Sequence, residues 1–359
     1  MIAAFIGLAL AAAPSPEALR GEWRQYVRAF VQDDGRVIDR GAADISTSEG
    51  QAYALARAVW CDDRGTFDRV LRWTSDNLQR GDAAKLPSWK WGKMPDGKWG
   101  VIDPAPAADA DQWMAWALLE ATDRWHEPAY AQRAGAMLAR IWEEETLEIA
   151  GRRVVLPGSW ARDGEPVQLN PSYWLPFAWR RFARLEPERG WLRLVDDAYV
   201  MWDRCASPSG LPPDWCWVNR ATGARVDPPE GRADTSNFGF EAFRIGWTLA
   251  AEVRWHDEPR ARRMLEPFGA FADRWVVSGP LPAVIAPDGA PRETWSYLGL
   301  YGALLPAWAS VRPAIVDGLY VQEVRGRREA AVTPSTARDY YAHNWVWFGL
   351  ALWTGLATP

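Results

Sequence analysis

Histidine and cysteine are both scarce, at three of each in 359 residues. Three scattered His argue against a His-built metal centre, and three Cys cannot frame a disulfide scaffold. Positive charge is not in excess either. Lys and Arg total 41 against 46 Asp and Glu, a formal net charge of −5. That withholds the footprint that binding to a phosphate backbone requires, so nucleic acid is not an expected partner. No uncharged apolar run approaches the roughly 20 residues of a bilayer span, so no transmembrane helix is expected. Low-complexity stretches are missing, and the 29 Gly and 27 Pro are spread along the chain. What is abundant is tryptophan: 25 Trp against 10 Tyr and 11 Phe. With 48% hydrophobic and 24% charged residues, the rest is ordinary globular composition. Indole offers a flat apolar face and one N–H donor, a surface on which sugar rings, bases or quaternary ammonium groups stack. Most of these rings belong in a core. Trp60, Trp73, Trp116, Trp179 and Trp353 fall on apolar helical faces. Trp89, Trp91, Trp99, Trp160, Trp215 and Trp345 lie in loops or at helix starts and are free to touch a ligand.

Residues 1–13, MIAAFIGLALAAA, form a short apolar segment running into small residues. They read as a signal peptide with a cut after Ala11, although no Lys or Arg precedes Arg20. The expected location is secreted or periplasmic. Residues 14–359 contain no linker and read as one domain, expected to be monomeric. In an exported chain Cys205 and Cys216 can pair, whereas Cys61 sits in an apolar helical stretch and reads as buried.

Apolar periodicity is helical nearly throughout. Helices are predicted over 16–31, 48–60, 64–79, 111–125, 128–145, 172–185, 190–204, 239–254, 258–275, 294–309, 311–324 and 339–354. Short strands are possible at 152–156 and 281–286. Twelve helices joined by alternating short turns and long loops make six helical hairpins. Closed into a ring, they give an all-α fold, an (α/α)6 barrel with the long loops on one face.

Five clusters could carry chemistry. In SEGQAYAL, Glu49 stands in a first helical turn, where a capping role is the plain alternative. Gly50, Gln51 and Tyr53 beside it allow close approach and polar reach. In PAPAADADQW, Asp109 and Asp111 open a helix; one can cap it and the other is left to face a cleft. NPSYW at 170–174 offers Asn, Ser and Tyr173 for hydrogen bonds to a polyol. In NFGFEAFRIGW, Glu241 and Arg244 are three apart on one helical face, an ordinary ion pair unless the apolar neighbours turn it to a site. RDYYAHNWVWFG presents Tyr340, Tyr341, Asn344 and Trp345, although Trp345 and Trp347 cannot share one face. Two separated carboxylates beside Trp-rich loops suit inverting glycoside hydrolysis. One acid protonates the leaving oxygen, and one carboxylate about 6.5–9.5 Å away activates water.

Together these stretches resemble glycoside hydrolase family 8. SEGQAYAL is similar to the family's S-E-G-Q-x-Y segment, which implies that Glu49 is the catalytic acid. AADADQWMAWALLEATDRW resembles the signature A-[ST]-D-[AG]-D, with Ala108 in place of Ser or Thr, and puts an active-site residue on Asp109. LNPSYW looks like the N-P-S-Y helix start, and GFEAFR like Y-D-A-x-R. That places Glu241 where the base Asp is expected, followed by Arg244. SWKWGKMPDGKWGVID resembles the Trp-rich strand of endoglucanases that accompany bacterial cellulose synthase. The resemblance implies an (α/α)6 barrel, inversion, a β-1,4-linked polysaccharide as partner, and no metal or organic cofactor. Gln51, Tyr53, Asp111, Tyr173, Arg244, Tyr341 and Trp345 are expected to contact substrate. Trp89, Trp91 and Trp99 are the candidate stacking platforms. Glu241 in place of Asp leaves alternatives open. The base is Glu241, Asp214 or Asp234, or the chain binds glycan with weakened or lost turnover. Xylan, chitosan and mixed-linkage glucan remain as other β-1,4 substrates.

Overall fold

A computed structural model describes residues 13–231, 235–331 and 339–359, with backbone only at 329–331. The segment expected to be a leader, through residue 12, and Asp234 lie outside the described residues.

Six helices form an inner ring: α2 (Ser48–Trp60), α4 (Ala108–Trp125), α6 (Pro176–Leu185), α8 (Phe243–His256), α11 (Leu298–Val311) and α14 (Tyr340–Thr354). The outer layer holds α1 (Pro16–Phe30), α3 (Arg64–Asn77), α5 (Pro128–Glu145), α7 (Trp191–Cys205), α9 (Pro259–Met264), α10 (Glu266–Ser278), α12 (Pro313–Leu319) and α13 (Gly326–Ala331). Burial sorts the two layers. In α2, α11 and α14 most residues on every face are buried. In α1, α3 and α5 one stripe is buried and the other faces are partly or fully exposed. Each inner helix packs on the next from α2 through α4, α6, α8 and α11 to α14. The ring closes where Arg57 Nη1 on α2 donates to Asn344 Oδ1 on α14 at 2.8 Å. The expected six-hairpin (α/α)6 barrel is the observed one.

Helix boundaries depart from the periodic pattern where proline intervenes. The stretch expected to be helical over 172–185 opens as a 3-10 turn, Pro171–Tyr173, and restarts at Pro176. Pro176 pushes the preceding Leu175 out of helical geometry. The helix expected over 258–275 divides at Leu265 into α9 and α10, because Pro267 has no N–H to continue the ladder.

Strands are short and gather where inner helices begin. β1 (Ser46–Thr47), β2 (Lys90–Lys93) and β3 (Trp99–Asp103) form one antiparallel sheet. β4 (Thr146–Ile149) pairs with β5 (Arg152–Val155), where a strand was expected. β6 (Val167–Leu169), β7 (Cys216–Val218) and β8 (Arg225–Val226) make the third sheet. At 281–286 there are only isolated bridges of Ile285 to Phe238 and Pro291. Cys205 and Cys216 form a disulfide that ties α7 to β7.

The tightest contact joins α11 to α14. Pro306 inside α11 has no N–H, so it cannot donate to the Gly302 carbonyl four residues earlier. That carbonyl faces Gly349, where a Cβ would stand 1.7 Å from it. Gly349→Ala should therefore destabilise the barrel by about 1–3 kcal/mol, the usual range for overpacking. Urea unfolding midpoints check this, and an unchanged midpoint would refute the close approach.

Candidate active site

The open face is organised around Arg244, on the first turn of α8. Its side chain is 4% exposed. Nη1 meets Glu49 Oε1 at 2.9 Å and Asp109 Oδ2 at 3.0 Å. Nη2 donates to Ser172 Oγ at 2.9 Å and pairs with Glu241 Oε2. The guanidinium lies 5.2 Å from the Tyr173 ring centroid. Three carboxylates from three parts of the chain thus share one cation.

Glu49 is in the first turn of α2, with Thr47 as the N-cap. The Tyr53 hydroxyl donates to Glu49 Oε1 at 2.9 Å and the Tyr340 hydroxyl to Oε2 at 3.2 Å. Burial pushes this carboxyl up from 4.5 to about 7; Arg244 opposes the rise and Asp109 adds to it. Asp109 is held higher than an ordinary aspartate for the same first reason, against the pull of Arg244. Its Oδ1 accepts from the Ala110 N–H at 2.8 Å. Glu241 accepts from Asn170 Nδ2 at 3.0 Å. At 28% it is the most exposed carboxylate of the three, against 20% for Glu49 and 6% for Asp109.

Glu241 precedes α8 rather than lying on it. Residues 239–242 form a turn because Asp214 Oδ1 accepts from the N–H groups of Gly239, Glu241 and Ala242 at 3.1, 2.9 and 2.8 Å. Asp214 pins this turn from a distant loop, and burial pushes its carboxyl up to about 6. This turn explains why α8 begins four residues later than its apolar pattern predicts.

Three expected contact residues face the interior instead. Gln51 is fully buried; its Oε1 accepts from Val37 N–H at 2.6 Å and its Nε2 donates to Thr74 Oγ1 at 3.0 Å. It fastens the 31–37 loop to α2 and α3. Asp111 is also fully buried, beside the carboxyl of Glu145, and burial holds both well above the carboxylate range. Trp345 is 2% exposed, wedged between the rings of Tyr53 and Phe243. A residue type marks a polar or flat group, but the helix phase decides which way it points.

The remaining expected residues lie at or beside the open face. Tyr53 is buried and reaches the site through its bond to Glu49. Tyr341 donates to the Phe240 carbonyl at 2.8 Å. Trp91 stacks on Trp99 with centroids 5.4 Å apart, and Trp99 is 47% exposed. The carbonyl of Trp89 accepts from Ser48 N–H at 3.0 Å, which joins this hairpin to the start of α2. Trp160, Trp215 and Tyr173 form an aromatic row, with centroid spacings of 6.4 and 6.1 Å. A second cluster, Phe240, Trp295 and Tyr297, has no counterpart in the motif reading. Trp295 and Tyr297 fall in the stretch expected to be helical from 294, but α11 begins only at Leu298, which leaves Trp295 47% exposed in the loop before it.

A family model for glycosyl hydrolases family 8 matches residues 2–285. The chain is 40% identical over 217 residues to an endoglucanase of Pseudomonas fluorescens (strain SBW25), across 57% of this chain and 54% of that protein. It is 35% identical over 336 residues to an endoglucanase of Xanthomonas axonopodis pv. citri (strain 306), across 87% of this chain and 84% of that one. The crystal structure of an endo-1,4-D-glucanase from Vibrio fischeri ES114 superposes with a TM-score of 0.81 at 27% identity. That superposition covers 92% of this chain and 94% of that one.

The raised Glu49 carboxyl has a consequence for stability. The folded protein binds this proton more tightly than the unfolded chain does. Its contribution is therefore full below about pH 4.5 and is lost as pH rises through about 7. Glu49→Gln should match the parent in thermal midpoint at pH 4 and exceed it at pH 8. A parent that gains on the variant with rising pH would reverse the assigned sign.

Proposed function

The chain belongs to glycosyl hydrolases family 8, and on that premise we propose that it is an endo-acting hydrolase of β-1,4-linked glucan that inverts the anomeric centre. The observation that carries this reading is the gathering of Glu49, Asp109 and Glu241 on Arg244 with graded exposure. Glu49 is the general acid: burial lets it keep a proton near neutral pH, and Tyr53 and Tyr340 fix its oxygens. Glu241 is the general base. It is the most exposed of the three and is surrounded by donors from Asn170 and Arg244, as an ionised carboxylate needs. Water attacks the anomeric carbon as the glycosidic bond breaks. The proton of Glu49 goes to the leaving oxygen, and a proton of the water goes to Glu241. Asp109 and Tyr173 support the sugar ring next to the cut. The Trp160–Trp215–Tyr173 row and the Phe240–Trp295 pair supply flat faces for the flanking sugars.

Glu241 is the base in preference to Asp214, whose Oδ1 already serves three backbone donors. Export to a secreted or periplasmic location is part of the same proposal. The Cys205–Cys216 disulfide supports it, since such bonds persist in oxidising compartments.

Glu49→Gln should lower kcat on a soluble cellulose derivative by about 10²–10⁴-fold, the usual share of general acid catalysis. Reducing-sugar release by this variant at the parental rate would remove Glu49 from the role. Glu241→Gln should fall comparably, whereas Asp214→Asn, which keeps its acceptor oxygen and hence the turn, should retain most activity. The opposite pattern transfers the base to Asp214. An absence of reducing-sugar release by the parent itself would leave a glycan-binding protein. Proton NMR of early product should show the α-anomer first, and β-anomer first would exclude inversion.

A further inference from the structure

All four lysines of the chain, Lys85, Lys90, Lys93 and Lys98, fall within fourteen consecutive residues, and every other basic residue is arginine. The same segment holds Trp89 and Trp91, is followed by Trp99, and contains one acid, Asp96. In a chain of net charge −5 this is a local reversal of sign.

The segment contains β2 and the turn to β3. The register sets Lys93 opposite Trp99, on the face that carries the Trp91–Trp99 stack. Lys98 is 80% exposed and Lys85 58% exposed; their acid partners Asp96 and Asp82 stand 3.7 and 3.6 Å away. Pairs this exposed are weak and readily exchanged for a ligand's charge. Lys93 is exposed and has no ion-pair partner among the described residues. The Lys90 ammonium lies 5.2 Å from the Trp89 ring centroid.

Lysine rather than arginine has a physical meaning here. A guanidinium is weakly hydrated and settles on indole faces, as Arg36 does at 4.4 Å from Trp91 and 4.7 Å from Trp99. An ammonium stays more strongly hydrated, and beside Arg36 the Trp99 residue is still 47% exposed. The hairpin therefore sets the exposed Trp99 ring beside Lys93, with Lys85 and Lys98 in exposed pairs nearby and Lys90 opposite Asp103 on the neighbouring strand. It is also continuous with the catalytic elements: β1 pairs with β2 and ends one residue before α2, and β3 ends at Asp103, ahead of Asp109.

We propose that the β2–β3 hairpin is an accessory binding site for β-1,4-glucan that carries carboxylate substituents, its lysines meeting the anions while its tryptophans stack on the sugar rings. The proposal rests on the glucanase reading. An anionic lipid surface would also meet the lysines, but it gives no reason for the hairpin to be joined to the carboxylate-bearing helices.

The test compares the parent with a Lys90→Gln, Lys93→Gln, Lys98→Gln triple variant on carboxymethylcellulose and on neutral hydroxyethylcellulose, at low and high NaCl. The variant should lose roughly fivefold in kcat/KM on the carboxylated polymer at low salt, the scale of three exposed charge contacts. It should change little on the neutral one. Salt should remove the parent's advantage by screening. Equal loss on both polymers, or no loss on either, would overturn the anionic preference. Binding to phosphatidylglycerol vesicles that the variant loses, with an unchanged polymer ratio, would also overturn it. Affinity electrophoresis of Glu49→Gln, with and without the three lysine changes, in gels containing each polymer reads binding without turnover. Failure of hydrolysis alone therefore counts against the glucanase reading, and failure of the lysine-dependent shift counts against the hairpin.

Discussion

The buried guanidinium of Arg244 is the interaction on which the site depends. Removing such a cation from water is costly, and it is offset only where acceptors surround it. Here the acceptors come from α2, from the start of α4, from the 170–173 turn and from the turn before α8. None of these segments is near another in sequence, so the cation is satisfied only when the barrel is closed. Conversely, three carboxylates gathered without it would repel each other and stay protonated. Fold and site are thus coupled through one side chain.

Around it stands a set of polar residues that touch no expected ligand. Gln51 holds the loop behind α2, Asn170 orients Glu241 and Ser172, and Asp214 pins the turn before α8. Each replaces a missing backbone partner in a region where helices begin and N–H groups are unpaired. Such residues carry motif-like polarity while acting as scaffold. That is why Gln51 reads as a contact residue in the sequence and proves to be an interior one.

Helix positions were legible because burial on one side leaves a 3.6-residue period, and the starts at Pro16, Ser48, Arg64 and Pro128 follow it closely. Misplaced boundaries trace to tertiary causes, as at α8, where the preceding turn is pinned by Asp214 far upstream. Strands of two to five residues are too short to show alternation, so most of the three sheets left no readable trace. The Phe240–Trp295–Tyr297 cluster was hidden for another reason: all three rings fall in stretches expected to be helical, whereas α8 and α11 begin only at Phe243 and Leu298.

Local order therefore determined much from the chain alone. Helical period, prolines and the carboxylate motifs specified six hairpins and named Glu49, Asp109, Glu241 and Arg244 as candidates. Tertiary structure alone decided which of the polar and aromatic residues meet. Orientation is set by packing neighbours, not by composition, so Trp345 on α14 turned into the core while Trp99 at the start of β3 stayed in solvent. The excess of tryptophan does not divide by chain position: most rings on helices of both layers fill the interior, Trp174 and Trp217 outside them are buried too, and Trp99, Trp160 and Trp295 stay exposed, because packing neighbours decide what is covered.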